Sequence, residues 1–234
     1  MYFLQCSIKK MKRTLSTPSE DVQEETKRPK LEEEKETTPF FLFFDTETDG
    51  NGSFRNPFTQ TVVQVAWSLT DKQGNVLDCY KSFVSGATVL EYNPNAWTLE
   101  QINGPDSITP ELARDKFMDA VAQVKQNDGY IVAHNLEFDI DAMQSLGVTG
   151  LNTVNQFCTK VNTTNICKIP AAYGSRFKRN YKWPSQTELN KHLFPDANET
   201  QTHDAGDDVA MLRKNFVECM NRCQKNKDYK KFRF

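Results

Sequence analysis

Three short stretches of this chain bring carboxylates together with histidine, asparagine or an apolar run. "FFLFFDTETDG" (40–50) ends five apolar residues on Asp45 and Glu47, "VAHNLEFDIDAM" (132–143) groups His134, Asn135 and Asp139, and "THDAGDDVAML" (202–212) sets His203 five residues ahead of Asp208. Side chains at i and i+2 of a strand leave the same face, so Asp45 and Glu47 stand side by side. Carboxylates that close repel, and one keeps its proton unless a cation joins them. A divalent metal removes the conflict: Mg²⁺ takes carboxylate oxygen, keeps several waters and leaves positions for a substrate phosphate. Asp-x-Glu also ends strands that do no chemistry. Acids at helix N-termini act as caps or complement the helix dipole, worth ~0.3–1 kcal/mol, and Asp204 and Asp207 read that way. Three junctions that all supply carboxylates favour a metal platform over three separate caps.

The elements that must position these groups follow from periodicity. "FFLFF" has no polar alternation and reads as a central strand covered on both faces. "TVVQVAWSLT" (61–70) suits a neighbouring strand, and "GNV" (74–76) a hairpin turn into a third, "LDCYKSFV" (77–84). "TPELARDKFMDAVAQVKQ" (109–126) is a helix opened by Thr109 and Pro110, with Leu112, Phe117, Ala120, Val121 and Val124 on one face. "GYIVAHN" (129–135) is a short strand, followed by a helix over 139–147 closed by Gly147. A helix over 185–194 has Ser185 as cap and Glu188 in the capping-box position, and a last helix spans 204–225. Strands followed by helices imply an α/β layer architecture, whose sites form outside the carboxyl ends of strands.

"DTETDG", "AHNLEFD" and "HDAGDD" resemble the three motifs of the DEDDh 3′–5′ exonucleases, a superfamily that includes the proofreading epsilon subunit of bacterial DNA polymerase III, ribonuclease T and oligoribonuclease. The resemblance covers roughly residues 40–220, and "CKIP" (167–170) and "KWPSQTELNKHLF" (182–194) look like the segment before the third motif. It implies a ribonuclease H-like mixed central β-sheet flanked by α-helices. It makes Asp45, Glu47, Asp139 and Asp208 ligands of two divalent ions, Mg²⁺ or Mn²⁺, and His203 the general base. Thr46, Thr48 and Asn135 would contact substrate. The implied reaction releases nucleoside 5′-monophosphates from the 3′ end of DNA or RNA, single strands preferred, with the ions clamping attacking and leaving oxygens. Asp49 stands where many relatives have threonine and adds negative charge near the phosphate entrance. Arg55, Phe54 and Phe58 of the loop at 50–60 read as substrate contacts or as loop packing.

His134 reads as ordering the turn of the second motif, His192 as a helix-surface residue, and Trp67, Trp97 and Trp183 as core or loop anchors. "RCQKNKDYKKFRF" (222–234) is basic with interleaved aromatics, either a nucleic-acid track or a solvated chain end. The expected organisation is a disordered charged arm (1–38), an exonuclease domain (39–225) and a basic C-terminal tail (226–234).

The 234 residues carry a net charge of −2 and 38% hydrophobic residues, with mean hydropathy −0.66 and pI near 6.0. That balance excludes a protein that coats nucleic acid or membrane by bulk positive charge, but not one that grips a few phosphates. Six cysteines without a CxxC spacing predict reduced thiols in an intracellular protein. The start, "MYFLQCSIKKMKR", puts its apolar run before its basic residues, the reverse of a signal peptide, and no segment suggests a membrane span. The arm holds eight basic and eight acidic residues between Lys9 and Glu36, the composition of a solvated segment. Its "KRPK" (Lys27–Lys30) reads as a nuclear-import address or as plain linker. Two rival functions share this sequence: a binding or scaffolding module with a decayed site, and a proofreading subunit tethered to a polymerase through the arm. Retention of all four carboxylates and the histidine argues against decay.

Overall fold

The computed structural model describes residues 38–50, 61–91, 93–171 and 180–234. The arm up to residue 37, with its "KRPK" segment, and the loop residues Phe54, Arg55 and Phe58 lie outside the described residues.

Five strands form one mixed sheet in the order β3-β2-β1-β4-β5. The strands are β1 (Phe41–Thr48), β2 (Val62–Thr70), β3 (Val76–Phe83), β4 (Tyr130–Ala133) and β5 (Asn155–Cys158). β1 pairs antiparallel with β2 and parallel with β4, so it is central, as its unbroken apolar run predicts. Leu42 and Phe44 enter one core layer, where the Phe44 ring lies 5.1 Å from that of Phe117. Phe41 and Phe43 enter the opposite layer against Phe216, at 5.0 and 5.1 Å. β4 enters beside β1 at Gly129, where a Cβ would lie 2.2 Å from the Phe40 carbonyl oxygen; only glycine fits that approach.

The helices are α1 (Leu99–Ile102), α2 (Pro110–Gln126), α3 (Leu136–Ser145), α4 (Thr159–Cys167), α5 (Gln186–Leu193) and α6 (Ala205–Cys223). α2 is capped by Thr109 and buries Ala113, Phe117, Ala120, Val121 and Val124. Leu112, expected on that face, is exposed, because the helix phase puts Ala113 inward instead. α3 begins three residues before the expected 139, which puts Asp139 inside its first turn. Ser185 and Glu188 form the expected capping box on α5. β5 and α4 have no counterpart in the sequence reading, since "NQFCTKVNTTNIC" is polar and shows neither period.

Residues 226–234 pack into the fold. The 3-10 segment Lys227–Phe232 buries Tyr229 and Phe232, and Phe234 sits 5.0 Å from Phe41. These aromatics fill the α6 layer and leave the polar residues Asn226, Asp228, the lysines and Arg233 for solvent. Among the described residues, five cysteines are free thiols, and no helix is long and apolar enough to cross a membrane.

Candidate active site

Because β1 places odd-numbered residues toward α6, Phe41 and Phe43 are followed on the same face by Asp45 and Glu47. Their partners across β2 are Ala66 and Gln64, and the register slips between Glu47 and Thr48, a bulge of the kind that re-aims side chains at sheet ends. Thr46 faces the other way. Its backbone N–H and its hydroxyl both donate to Asp139 Oδ1, at 3.0 and 2.9 Å. Thr46, expected to touch substrate, thus orients the Asp139 carboxylate, and it also lines the cleft. Asp208 lies in the first turn of α6 and takes the backbone N–H groups of Thr202 and His203 on its two oxygens, both at 3.1 Å. Gln186 of α5 donates to the Asp208 carbonyl at 2.6 Å, tying that turn to the capped helix. Glu47, His203 and Asp208 each present a ligand atom within 4.8 Å of the others.

These elements enclose a cleft of about 530 Å³ that Asp45, Glu47, Thr48, Asn135, Asp139 and His203 all line. A larger groove of about 860 Å³ runs along the outer side of α6, with Asp207 on its wall, but holds none of these six residues. The smaller cleft is the candidate site.

Electrostatics separate the acids of this region into two kinds. Burial, then the charges of Asp139, Glu47 and Asp208, hold Asp45 well above the carboxylate range. Burial, then Asp208 and Asp139, pushes Glu47 up to about 8. Asp139 is raised to about 7 by burial, against the opposing hydrogen bonds from Thr46. Asp208 is raised by burial despite its backbone donors. Asp204, the helix cap nearby, is lowered: burial is the largest single cause and acts upward, but the Lys81 ammonium at 2.7 Å, the Asp207 N–H and the Gln64 amide together outweigh it. Asp204, in direct contact with the Lys81 ammonium, ionises readily, whereas burial makes the other four resist ionisation. An oxygen-rich set of this kind fits a hard divalent ion such as Mg²⁺ or Mn²⁺, which supplies the positive charge it lacks.

The remaining residues divide between site and scaffold. His134 is buried, with Nδ1 2.9 Å from the Thr159 hydroxyl and Nε2 3.0 Å from the Pro184 carbonyl. Burial pushes it down to about 4, so it is a neutral strut between the end of β4, α4 and the segment before α5. His192 is exposed on α5. Asp49 is buried, and its Oδ1 accepts the Thr61 N–H at 3.1 Å, closing the start of β2 onto β1. Asn135 accepts from Lys160 Nζ at 2.5 Å, and that ammonium lies 4.7 Å from the Trp183 ring centroid. Lys160, Lys182 and Trp183 line the cleft and were not singled out as site residues from sequence. Lys160 opens a helix with no apolar period. The "KWP" segment was legible only as a stretch ahead of the third motif.

No protein-family model matches this sequence, and no curated protein does. Solved structures do. The zinc-bound form of an E. coli exonuclease I–ssDNA complex superposes with TM-score 0.57 at 17% identity over 82% of this chain and 42% of that one. The complex of the same enzyme with a dA16 oligonucleotide gives 0.58 at 14%, over 83% and 43%. S. pombe Pop2p in a Mg²⁺- and Mn²⁺-bound form gives 0.59 at 12%, over 82% and 85%. The chain shares the ribonuclease H-like fold of these structures. It spans about two fifths of the exonuclease I chains, at 42% and 43%. In this ribonuclease H-like frame the central strand delivers Asp45 and Glu47, while the first turns of α3 and α6 deliver Asp139 and Asp208.

Proposed function

We propose that this chain is a metal-dependent 3′–5′ exonuclease that releases nucleoside 5′-monophosphates, with single strands preferred. The observation that carries the reading is the convergence of Asp45, Glu47 and Asp139 on a cleft that His203 also lines, with Asp208 presenting a ligand atom within 4.8 Å of those of Glu47 and His203, and all four carboxylates raised. The four carboxylates would hold two ions, Mg²⁺ or Mn²⁺. Bound there, the ions supply the positive charge that stabilises a phosphodiester under attack and its departing oxygen. His203 takes the proton of the attacking water as the general base. The water oxygen bonds to phosphorus and the P–O3′ bond breaks. The shortened strand keeps its 3′ oxygen, which takes up a proton from solvent to become a hydroxyl, and the phosphate leaves on the terminal nucleotide. Thr46 keeps Asp139 oriented throughout. Lys160 and Trp183 offer a cation and an aromatic face to the terminal nucleotide, the combination that single-strand binders use for phosphate and base. The oligonucleotide-bound exonuclease I structures and the Mg²⁺/Mn²⁺ form of Pop2p support substrate class and metal.

The test uses 5′-labelled single-stranded DNA, single-stranded RNA and duplex DNA, each with Mg²⁺, Mn²⁺ or EDTA. A ladder that shortens from the 3′ end, needs metal and is lost in Asp208→Ala is expected. Intact substrates despite tight binding would replace this reading with that of a nucleic-acid-binding module.

A further inference from the structure

His203 sits on left-handed backbone, φ +58°, a strained conformation for a residue with a Cβ that persists only where its surroundings impose it. Two backbone contacts on either side of the ring help to hold it here. The His203 N–H donates to Asp208 Oδ2 at 3.1 Å, within the third motif itself. The His203 carbonyl accepts from the side-chain amide of Asn95, 108 residues upstream. The loop that carries Asn95 is itself braced. Asn93 accepts the Trp97 N–H at 2.9 Å and donates to the Trp97 carbonyl at 2.6 Å, and Ala96 between them is also left-handed, φ +54°. Trp97 stacks edge-on against Phe83 at 5.2 Å and closes the small core of Val63, Ala87 and Ile102. Asn95 therefore reaches His203 from a fixed bracket.

We infer that Asn95 is a positioning residue for His203: by holding the peptide that follows the imidazole, it keeps the ring beside Glu47 and Asp208. The inference rests on the proposed role of His203 as the group that takes the water's proton. Only a donor serves at this place. Alanine would leave the His203 carbonyl without that partner, and aspartate would set oxygen against oxygen. Without the donor the strained backbone relaxes and the ring leaves its place, the kind of ~1 Å misplacement that costs about 10²-fold in rate.

The test measures kcat and KM on a single-stranded oligothymidylate with saturating Mn²⁺ for four proteins: wild type, Asn95→Ala, His203→Ala and the double variant. Asn95→Ala is expected to lower kcat by about 10- to 100-fold with KM held within ~2-fold, and to cost nothing further when His203 is already alanine. An equal loss in both backgrounds, or a change confined to KM, overturns the inference. A second readout is independent of hydrolysis. The chain has three histidines, and Asn95→Ala should broaden or split the ring NMR signals of His203 alone. Unchanged His203 signals overturn the positioning role. If the wild type cleaves nothing, the exonuclease reading fails, yet the ring signals still decide this one.

Discussion

Asp204 and Asp208 lie four residues apart at the start of α6 and are shifted in opposite directions, one lowered beside Lys81 and the other raised by burial. That contrast yields a pH prediction. Glu47, ordinarily near 4.5, is pushed to about 8 in the metal-free fold, so the folded protein holds this proton more tightly than the unfolded chain. The stabilisation is complete below the ordinary value and disappears as pH rises through about 8. In EDTA the melting temperature should fall from acid pH toward pH ~8.5. Mn²⁺ should restore it at the alkaline end, and Glu47→Gln should make the metal-free profile shallower, with Asp45 and Asp139 keeping part of the slope, while abolishing cleavage. A profile already flat in the wild type would refute the repulsion. Thr46→Val removes the hydroxyl but not the N–H that orients Asp139. A loss of about 10- to 100-fold in metal affinity is expected, the usual cost of an orienting partner, and Mn²⁺ titration of activity would measure it. Unchanged affinity would return Thr46 to a substrate-contact role alone.

At the scale of elements, α5 holds the turn that presents Asp208. The capping box at Ser185 fixes where that helix begins, and one residue on, Gln186 reaches the Asp208 carbonyl. Ser185→Ala should destabilise the protein by about 1 kcal/mol in urea unfolding. Because the lost cap loosens the start of α5, activity should fall more than stability does. Equal activity at full folding would mean that Gln186 holds the turn without the cap.

For the whole molecule, the chain end completes the core. Phe216 packs among Phe41, Phe43, Phe157, Phe232 and Phe234, with centroids 5.0 to 5.4 Å apart. Phe232→Ala should cost about 3–5 kcal/mol, readable as a lower urea midpoint, whereas Lys230→Ala and Lys231→Ala, both exposed, should change stability by about 0.5 kcal/mol or less. A Phe232→Ala protein as stable as wild type would mean that the layer closes without the last turn.

Local pattern alone determined much of this protein. The unbroken "FFLFF" run predicts a strand buried on two faces, the Thr109–Pro110 and Ser185–Glu188 pairs mark helix starts, and period two puts Asp45 and Glu47 side by side. Each of these depends on a few adjacent residues, so short-range chemistry suffices. Distant pairings needed the tertiary structure. Thr46 on Asp139 spans 93 residues and Asn95 on His203 spans 108, and neither leaves a periodicity. The polar segment of β5 and α4 became strand and helix because β4 and the core offered it partners, which intrinsic propensity does not encode. Asp49 likewise looks like part of the acidic motif in sequence. Only the pairing of β1 with the start of β2 turns its carboxylate to the Thr61 N–H, since a buried carboxylate takes whichever donor the fold brings within reach.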